Sequence, residues 1–132
     1  MSQYMLDTNI ASYIIKGHPA VRRRLAAVPM HEVAISAVTE GELRYGVGRR
    51  PAATRLNTIV EEFLLRVAIH PWDSAAAREY GRIRATLEQA GAALGNIDMM
   101  IAAHALATSS VLVTHDKAFA RVKGLKIEDW SA

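Results

Sequence analysis

Short apolar runs of three or four residues recur along this chain, each separated from the next by a helical stretch and never by a hairpin turn. Gln3–Leu6, Val33–Ile35, Val67–His70, Val111–Val113 and Leu125–Ile127 are such runs. Antiparallel neighbours can be joined by a two-residue turn, but parallel neighbours need a crossover long enough to hold a helix. Uniformly apolar short strands joined by helices therefore predict a parallel sheet covered on both faces. Between the strands, apolar spacing predicts helices over Thr8–Lys16, Ala20–Ala27, Thr39–Gly48, Ala52–Leu65, Ser74–Ala90, Ile97–Ala107 and Lys117–Val122. Gly17 and Pro19 break the first of these, Asp73 or Ser74 caps the long one, and Gly91 and Gly95 bracket a loop. The expectation is a single α/β domain over residues 1–132, with about five parallel strands and no repeat or linker.

The absence of cysteine removes disulfides and thiolate zinc sites. No apolar run approaches the roughly 20 residues of a membrane span. The N-terminus reaches Asp7 and Asn9 too early for a signal peptide. A soluble cytoplasmic protein is the expectation. Net charge is +3, with Arg22, Arg23 and Arg24 in a run and Arg44, Arg49, Arg50 and Arg55 around one turn. These arginines read either as solvated helix faces or as a basic rim for nucleic-acid phosphates.

Helical spacing sorts the acids. Glu40 has Arg44, Glu62 has Arg66, Glu79 has Arg82 and Glu88 has Arg84 at three or four residues' distance, the spacing of an ordinary surface pair. Asp7, Glu42, Asp98 and Asp116 have no such base and sit among apolar neighbours. Glu61 also lacks one, so the filter is not exclusive. A carboxylate among apolar neighbours is costly unless a cation or hydrogen bonds compensate it. Asp7 directly follows the first strand and Asp116 follows the fourth by three residues. In a parallel sheet both stand at the carboxyl edge, where open α/β sheets bind ligands. Asp98, in the first turn of its helix, and Glu42, one turn into its own, can reach the same edge. Asp7, Asp98 and Asp116 also suit helix caps or first turns; capping does not explain Glu42. Together the four form a candidate site for Mg²⁺ or Mn²⁺.

Thr8, Asn9, Ser36, Thr39 and Thr114 stand beside these acids, as residues that orient carboxylates or as turn residues. His104 reads as structural. His115, beside Asp116, is a candidate phosphate contact, with Arg44 and Arg49 as candidate substrate contacts.

The stretches MLDTNI, ISAVTEGELRYG, GNIDMMIAAHA and VLVTHDKAFARVKGLKIEDW together resemble the PIN-domain ribonucleases, and within them the VapC toxins of toxin–antitoxin modules. The resemblance spans nearly the whole chain. It implies a three-layer α/β/α fold, a homodimer, and inhibition by a cognate VapB-type antitoxin covering the acidic groove. It implies a ribonuclease with the acidic site carried over onto Asp7, Glu42, Asp98 and Asp116; attack by metal-activated water at such a site is expected to leave a 5′-phosphate and a 3′-hydroxyl. The hydroxyls next to the first and last acids map to Thr8 and Thr114. Many relatives carry Asn where this chain has His115, and some lack an acid at Asp116. The DTNI start and EDW ending are most similar to members that act on initiator tRNA, so tRNA is the expected substrate. Three other readings stay open: a phospho-acceptor domain, a non-catalytic RNA- or antitoxin-binding module, and a DNA-directed nuclease.

Overall fold

The structure is a computed structural model that describes residues 3–92 and 94–132. Met1, Ser2 and Ala93, the last within the loop expected between Gly91 and Gly95, lie outside the described residues.

Five strands form the sheet: β1 (Tyr4–Leu6), β2 (Val33–Ser36), β3 (Ala68–His70), β4 (Val111–Val113) and β5 (Ile127–Glu128). Their spatial order is β3-β2-β1-β4-β5 and every pairing is parallel. Six α-helices connect them: α1 (Thr8–Lys16), α2 (Pro19–Ala26), α3 (Ala37–Arg49), α4 (Thr54–Arg66), α5 (Ser74–Gln89) and α6 (Asn96–Ala107). Among the described residues no helix is long and apolar enough to cross a membrane.

Strand alternation divides the core. Leu6 and Val113 face one side, with Ile10, Ile14 and Ile15 of α1, Val21 of α2, Leu43 of α3 and Val60, Phe63 and Leu64 of α4. Met5 and Leu112, one residue earlier on the same strands, face the other side, with Ile83 and Leu87 of α5, Met99 and Ile101 of α6, and Phe119. Successive residues of a strand point to opposite faces, so each apolar run serves two cores at once. The result is the expected three-layer arrangement.

Local chemistry sets the helix ends. Asp7 caps α1 and Gly17, at φ 81°, ends it in the left-handed conformation that glycine adopts without penalty. His18 caps α2, whose first residue is Pro19. Ser36 caps α3, and Asp73 caps α5. Three expectations shift. Lys117–Arg121 is a 3-10 turn rather than an α-helix, and the last strand lies at Ile127–Glu128, two residues later than its apolar signal. Pro51 and Ala52 form a turn before α4 rather than its first residues.

β1 is the central strand, and the chain leaves it towards β2 on one side and meets β4 on the other. The carboxyl ends of β1 and β4 therefore flank the point at which the sheet's winding reverses, which is where such sheets form a crevice.

Candidate active site

Asp7 is the first residue past β1 and is 4% exposed. Its extended backbone ends the strand, and its side chain turns onto the start of α1. Oδ1 accepts the Ile10 amide at 2.8 Å and Oδ2 accepts the Thr114 hydroxyl at 2.5 Å. Each carboxylate oxygen keeps further lone-pair capacity, so these bonds fix the group without closing it to a cation. Thr114, just past β4, is buried, and its Oγ also accepts the Asp116 amide at 3.0 Å. One hydroxyl thus joins the segments that carry two of the acids. Asp116, exposed, caps the 3-10 turn with Oδ1 on the Ala118 amide at 2.9 Å.

Glu42 lies on the second turn of α3, where its Oε1 accepts the Thr8 hydroxyl at 2.6 Å. Thr39, fully buried one turn earlier, places its hydroxyl 3.4 Å from that of Thr8. Asp98 lies in the first turn of α6, half-buried.

Asp7, Glu42 and Asp98 line one cleft with Thr8, Asn9 and Asn96. Asp98 and Asp116 line the adjoining one. Their electrostatics tie the four together. Burial raises the pKa of Asp7 despite its bonds to Thr114 and Ile10, and repulsion from Asp98 and Asp116 raises it further. Burial likewise raises Asp98, with repulsion from Asp116 and Glu42. The ion pairs of the described residues involve other acids: Arg24 with Glu128, Arg44 with Glu40 and Glu61, Arg82 with Glu79, Arg84 with Glu88, and His31 and His115 with Glu32 and Asp129.

Like charges keep apart, and Asp7, Glu42 and Asp116 each accept a hydrogen bond from a nearby donor. Among the described residues no three acidic or histidine side chains are drawn together as a ready metal cage. What the cleft offers is a set of oxygen donors with an unbalanced negative charge. That is the donor chemistry of Mg²⁺, Ca²⁺ or Mn²⁺ rather than of a thiolate or imidazole metal.

Residues 4–125 match the family model of the PIN domain. The chain belongs to the PIN-domain family. It is 39% identical to the tRNA(fMet)-specific endonuclease VapC of Shigella flexneri, over 99% of this chain and all of that one. It is 37% identical to Ribonuclease VapC2 of Rickettsia felis, over 96% and 97% of the two chains. Among solved structures, DNA-bound VapBC from Salmonella typhimurium superposes with a TM-score of 0.91 at 38% identity, covering 98% of this chain and 99% of that one. VapBC2 from Rickettsia felis bound to a DNA fragment from their promoter gives 0.88 at 35%, covering 96% and 98%.

In this PIN domain the remaining expected residues separate. Asn9 is exposed at the rim of the acidic cleft. Ser36 ends β2 at the same sheet edge as Asp7, the residue after β1. Its Oγ accepts the Val38 amide at 3.1 Å and meets His104 Nδ1 at 2.7 Å. It caps α3 and joins it to α6, so it acts on the frame that holds Glu42 and Asp98. His104 is 1% exposed, and burial and the nearby His70 hold its pKa below the ordinary histidine value. His115 is exposed and engages Asp129 Oδ2 at 3.1 Å and Ser131 Oγ at 3.0 Å. Arg44 is committed to Glu40 at 2.9 Å and Glu61 at 3.0 Å. Arg49 stands free of ion pairs among the described residues, its guanidinium over the Tyr45 ring. Sequence reading missed Asn96, which lines both halves of the acidic cleft. Its place after Gly95 at a helix start made it look like an ordinary terminus residue.

Proposed function

We propose that this chain is a metal-dependent endoribonuclease, the toxin of a VapBC-type toxin–antitoxin module, with Asp7, Glu42, Asp98 and Asp116 as its catalytic acids. The observation that carries the reading is the acidic cleft at the carboxyl ends of β1 and β4. It gathers four carboxylates from four separated segments, two of them with raised pKa, in a basic protein. Asp7 and Asp98 would hold Mg²⁺ or Mn²⁺, with Glu42 and Asp116 beside them.

When bound, such an ion supplies Lewis acidity and charge neutralisation, which lower the pKa of water near the scissile phosphate and relieve repulsion between acids and RNA. The protein's own groups do the positioning. The Ile10 amide and the Thr114 hydroxyl fix the Asp7 carboxylate, and Thr8 aims Glu42 into the same cleft. Asn9 and Asn96 line its rim with hydrogen-bonding groups suited to substrate or water. No serine or threonine side chain lining the acidic cleft is paired with a histidine among the described residues, and we take the attack to be made directly by water, giving a 5′-phosphate and a 3′-hydroxyl.

The similarity to a tRNA(fMet)-specific endonuclease supports tRNA as substrate, initiator tRNA first among candidates. We take the cytoplasm, where tRNA is used, as the place of action. The similarity to solved VapBC complexes supports a VapB-type antitoxin as partner. A homodimer is part of the same proposal.

The test is cleavage of purified tRNAs and total RNA by the wild type with Mg²⁺, beside Asp98→Asn and an EDTA control. Defined cuts that vanish in both controls are expected. Cutting that persists in EDTA sinks the metal mechanism. No cutting by a folded, metal-loaded wild type on tRNA, rRNA or single-stranded DNA sinks the nuclease reading.

A further inference from the structure

Beside the acidic cleft, on the α3 side, lies a second depression that the catalytic chemistry does not use. Thr8 and Glu42 form its shared border, and Lys16, Tyr45, Arg50 and Asn57 are among the residues that line the rest. The helical repeat makes it continuous with the acids. Residues three and four apart share a face, so Glu42, Tyr45 and Arg49 form a stripe running from acid to aromatic to cation.

Three observations give this depression a chemical character. Tyr45 is 67% exposed, unusual for a large ring, and the Arg49 guanidinium lies 5.2 Å from its centroid. Lys16, Arg49 and Arg50 take no part in the ion pairs of the described residues, so three cations face a wall whose only acid is Glu42. Asn57, in the wall of the depression, donates its Nδ2 to the Arg50 carbonyl at 3.0 Å, and its buried Oδ1 has no hydrogen-bond partner. An open aromatic face beside unpaired cations is what single-stranded nucleic acid uses, stacking a base and tracking its phosphates.

We propose that this depression is a nucleotide subsite. It takes one unpaired nucleotide of the RNA next to the scissile phosphodiester, with the base against Tyr45 and the neighbouring phosphates against Lys16, Arg49 and Arg50. Gly46 supports this role: a Cβ there would meet nothing within 4 Å, and the missing side chain leaves the depression open. The inference rests on the ribonuclease reading for its substrate, but binding tests it apart from cleavage.

The experiment is an anisotropy titration of a short fluorescein-labelled single-stranded RNA and of total tRNA onto the full chain carrying Asp98→Asn, in metal-free buffer. Tyr45→Ala is expected to weaken binding on the order of ten-fold, and Tyr45→Phe to leave it intact, because stacking needs the ring and not its hydroxyl. Arg49→Gln with Arg50→Gln is expected to flatten the dependence on log salt concentration by about 0.7 for each phosphate no longer neutralised. Gly46→Leu, which fills the depression from a helix position that tolerates leucine, is expected to act like Tyr45→Ala. Tyr45 is exposed, so an unchanged thermal transition shows that the variants fold. Wild-type affinity in Tyr45→Ala overturns the subsite, as does equal loss in Tyr45→Phe. So does a Tyr45→Ala that binds RNA normally but loses self-association or antitoxin affinity, which would make the face a protein-docking surface. A wild type that cuts RNA no better than Tyr45→Ala removes the subsite and leaves the nuclease standing. A wild type that cuts no RNA removes the nuclease, and the titration still decides the subsite.

Discussion

The Thr114 hydroxyl sits between two acids, donating to Asp7 and accepting from the amide of Asp116. Thr114→Val keeps the shape and deletes both bonds. Loss of a group that orients a ligand typically costs ten- to a hundred-fold in metal affinity or activity. We expect a drop of that size in RNA cleavage and in Mg²⁺ affinity by titration calorimetry, with the fold intact. Asp98 gives a sharper contrast between stability and activity. Its pKa and that of Asp7 are raised, so over the range between the ordinary carboxylate value and the folded values the folded protein holds more protons than the unfolded chain. Their contribution to stability is full below the ordinary value and falls as pH rises through the folded values. Metal-free Asp98→Asn is therefore expected to resist urea better than the wild type at neutral pH, while losing on the order of a hundred-fold or more in activity. Equal urea midpoints in EDTA would show that Asp98 carries no electrostatic strain. Adding Mg²⁺ should raise the wild-type midpoint and leave Asp98→Asn nearly unmoved.

At this scale the acids were legible because each lacks a helical base, and hydroxyl neighbours marked Thr8 and Thr114. Ser36 was not separable from them, since a serine before a helix carries the same signal whether it caps or touches a site. Glu61 looked like a fifth unpaired acid. Its partner, Arg44, comes from a neighbouring helix, a tertiary pairing that no spacing along one helix can disclose.

α3 borders both the acidic cleft and the second depression. It holds Glu42, Tyr45 and Arg49 on one side and Leu43 in the core. It also contains Gly41, Gly46 and Gly48 in thirteen residues, a composition that weakens a helix. A Cβ at Gly41 would meet nothing within 4 Å, and the residue is exposed. Gly41→Ala is expected to stabilise the protein by about 0.5–1 kcal/mol, read from the urea midpoint, with RNA cleavage unchanged. Element boundaries were legible where chemistry punctuates them: Asp7 and Gly17 bound α1, and Asp73 opens α5. The 3-10 turn after Asp116 and the two-residue β5 were misplaced because such short pieces hold too few residues for a period to show. Their positions follow from what they pack on, Phe119 in one core and Trp130 in the other.

For the whole molecule, Trp130 closes the structure. It is fully buried near the end of the chain, 5.4 Å from the Tyr4 ring, with its Nε1 on Glu128 Oε1 at 3.1 Å and Arg24 against its face. Trp130→Ala deletes a large buried ring and is expected to cost about 3–5 kcal/mol, a sizeable part of what a domain of this size has. Equilibrium denaturation checks this. The order of the strands was not readable from the alternation, which predicts a parallel sheet and leaves its neighbours open.

That order also sets when the protein becomes active as it is made. The first strand synthesised is the middle of the sheet, and one of its flanks stays bare until residues 111–113 exist. Two of the four acids, the threonine that fixes Asp7 and the tryptophan that closes the core all lie in the final third of the chain. Chains fold as they emerge from the N-terminus, so a growing chain holds Asp7 and Glu42 long before it holds Asp98 and Asp116. Products that end before Asp116 carry no complete acid set, and a growing chain shows the assembled cleft only once that residue has emerged.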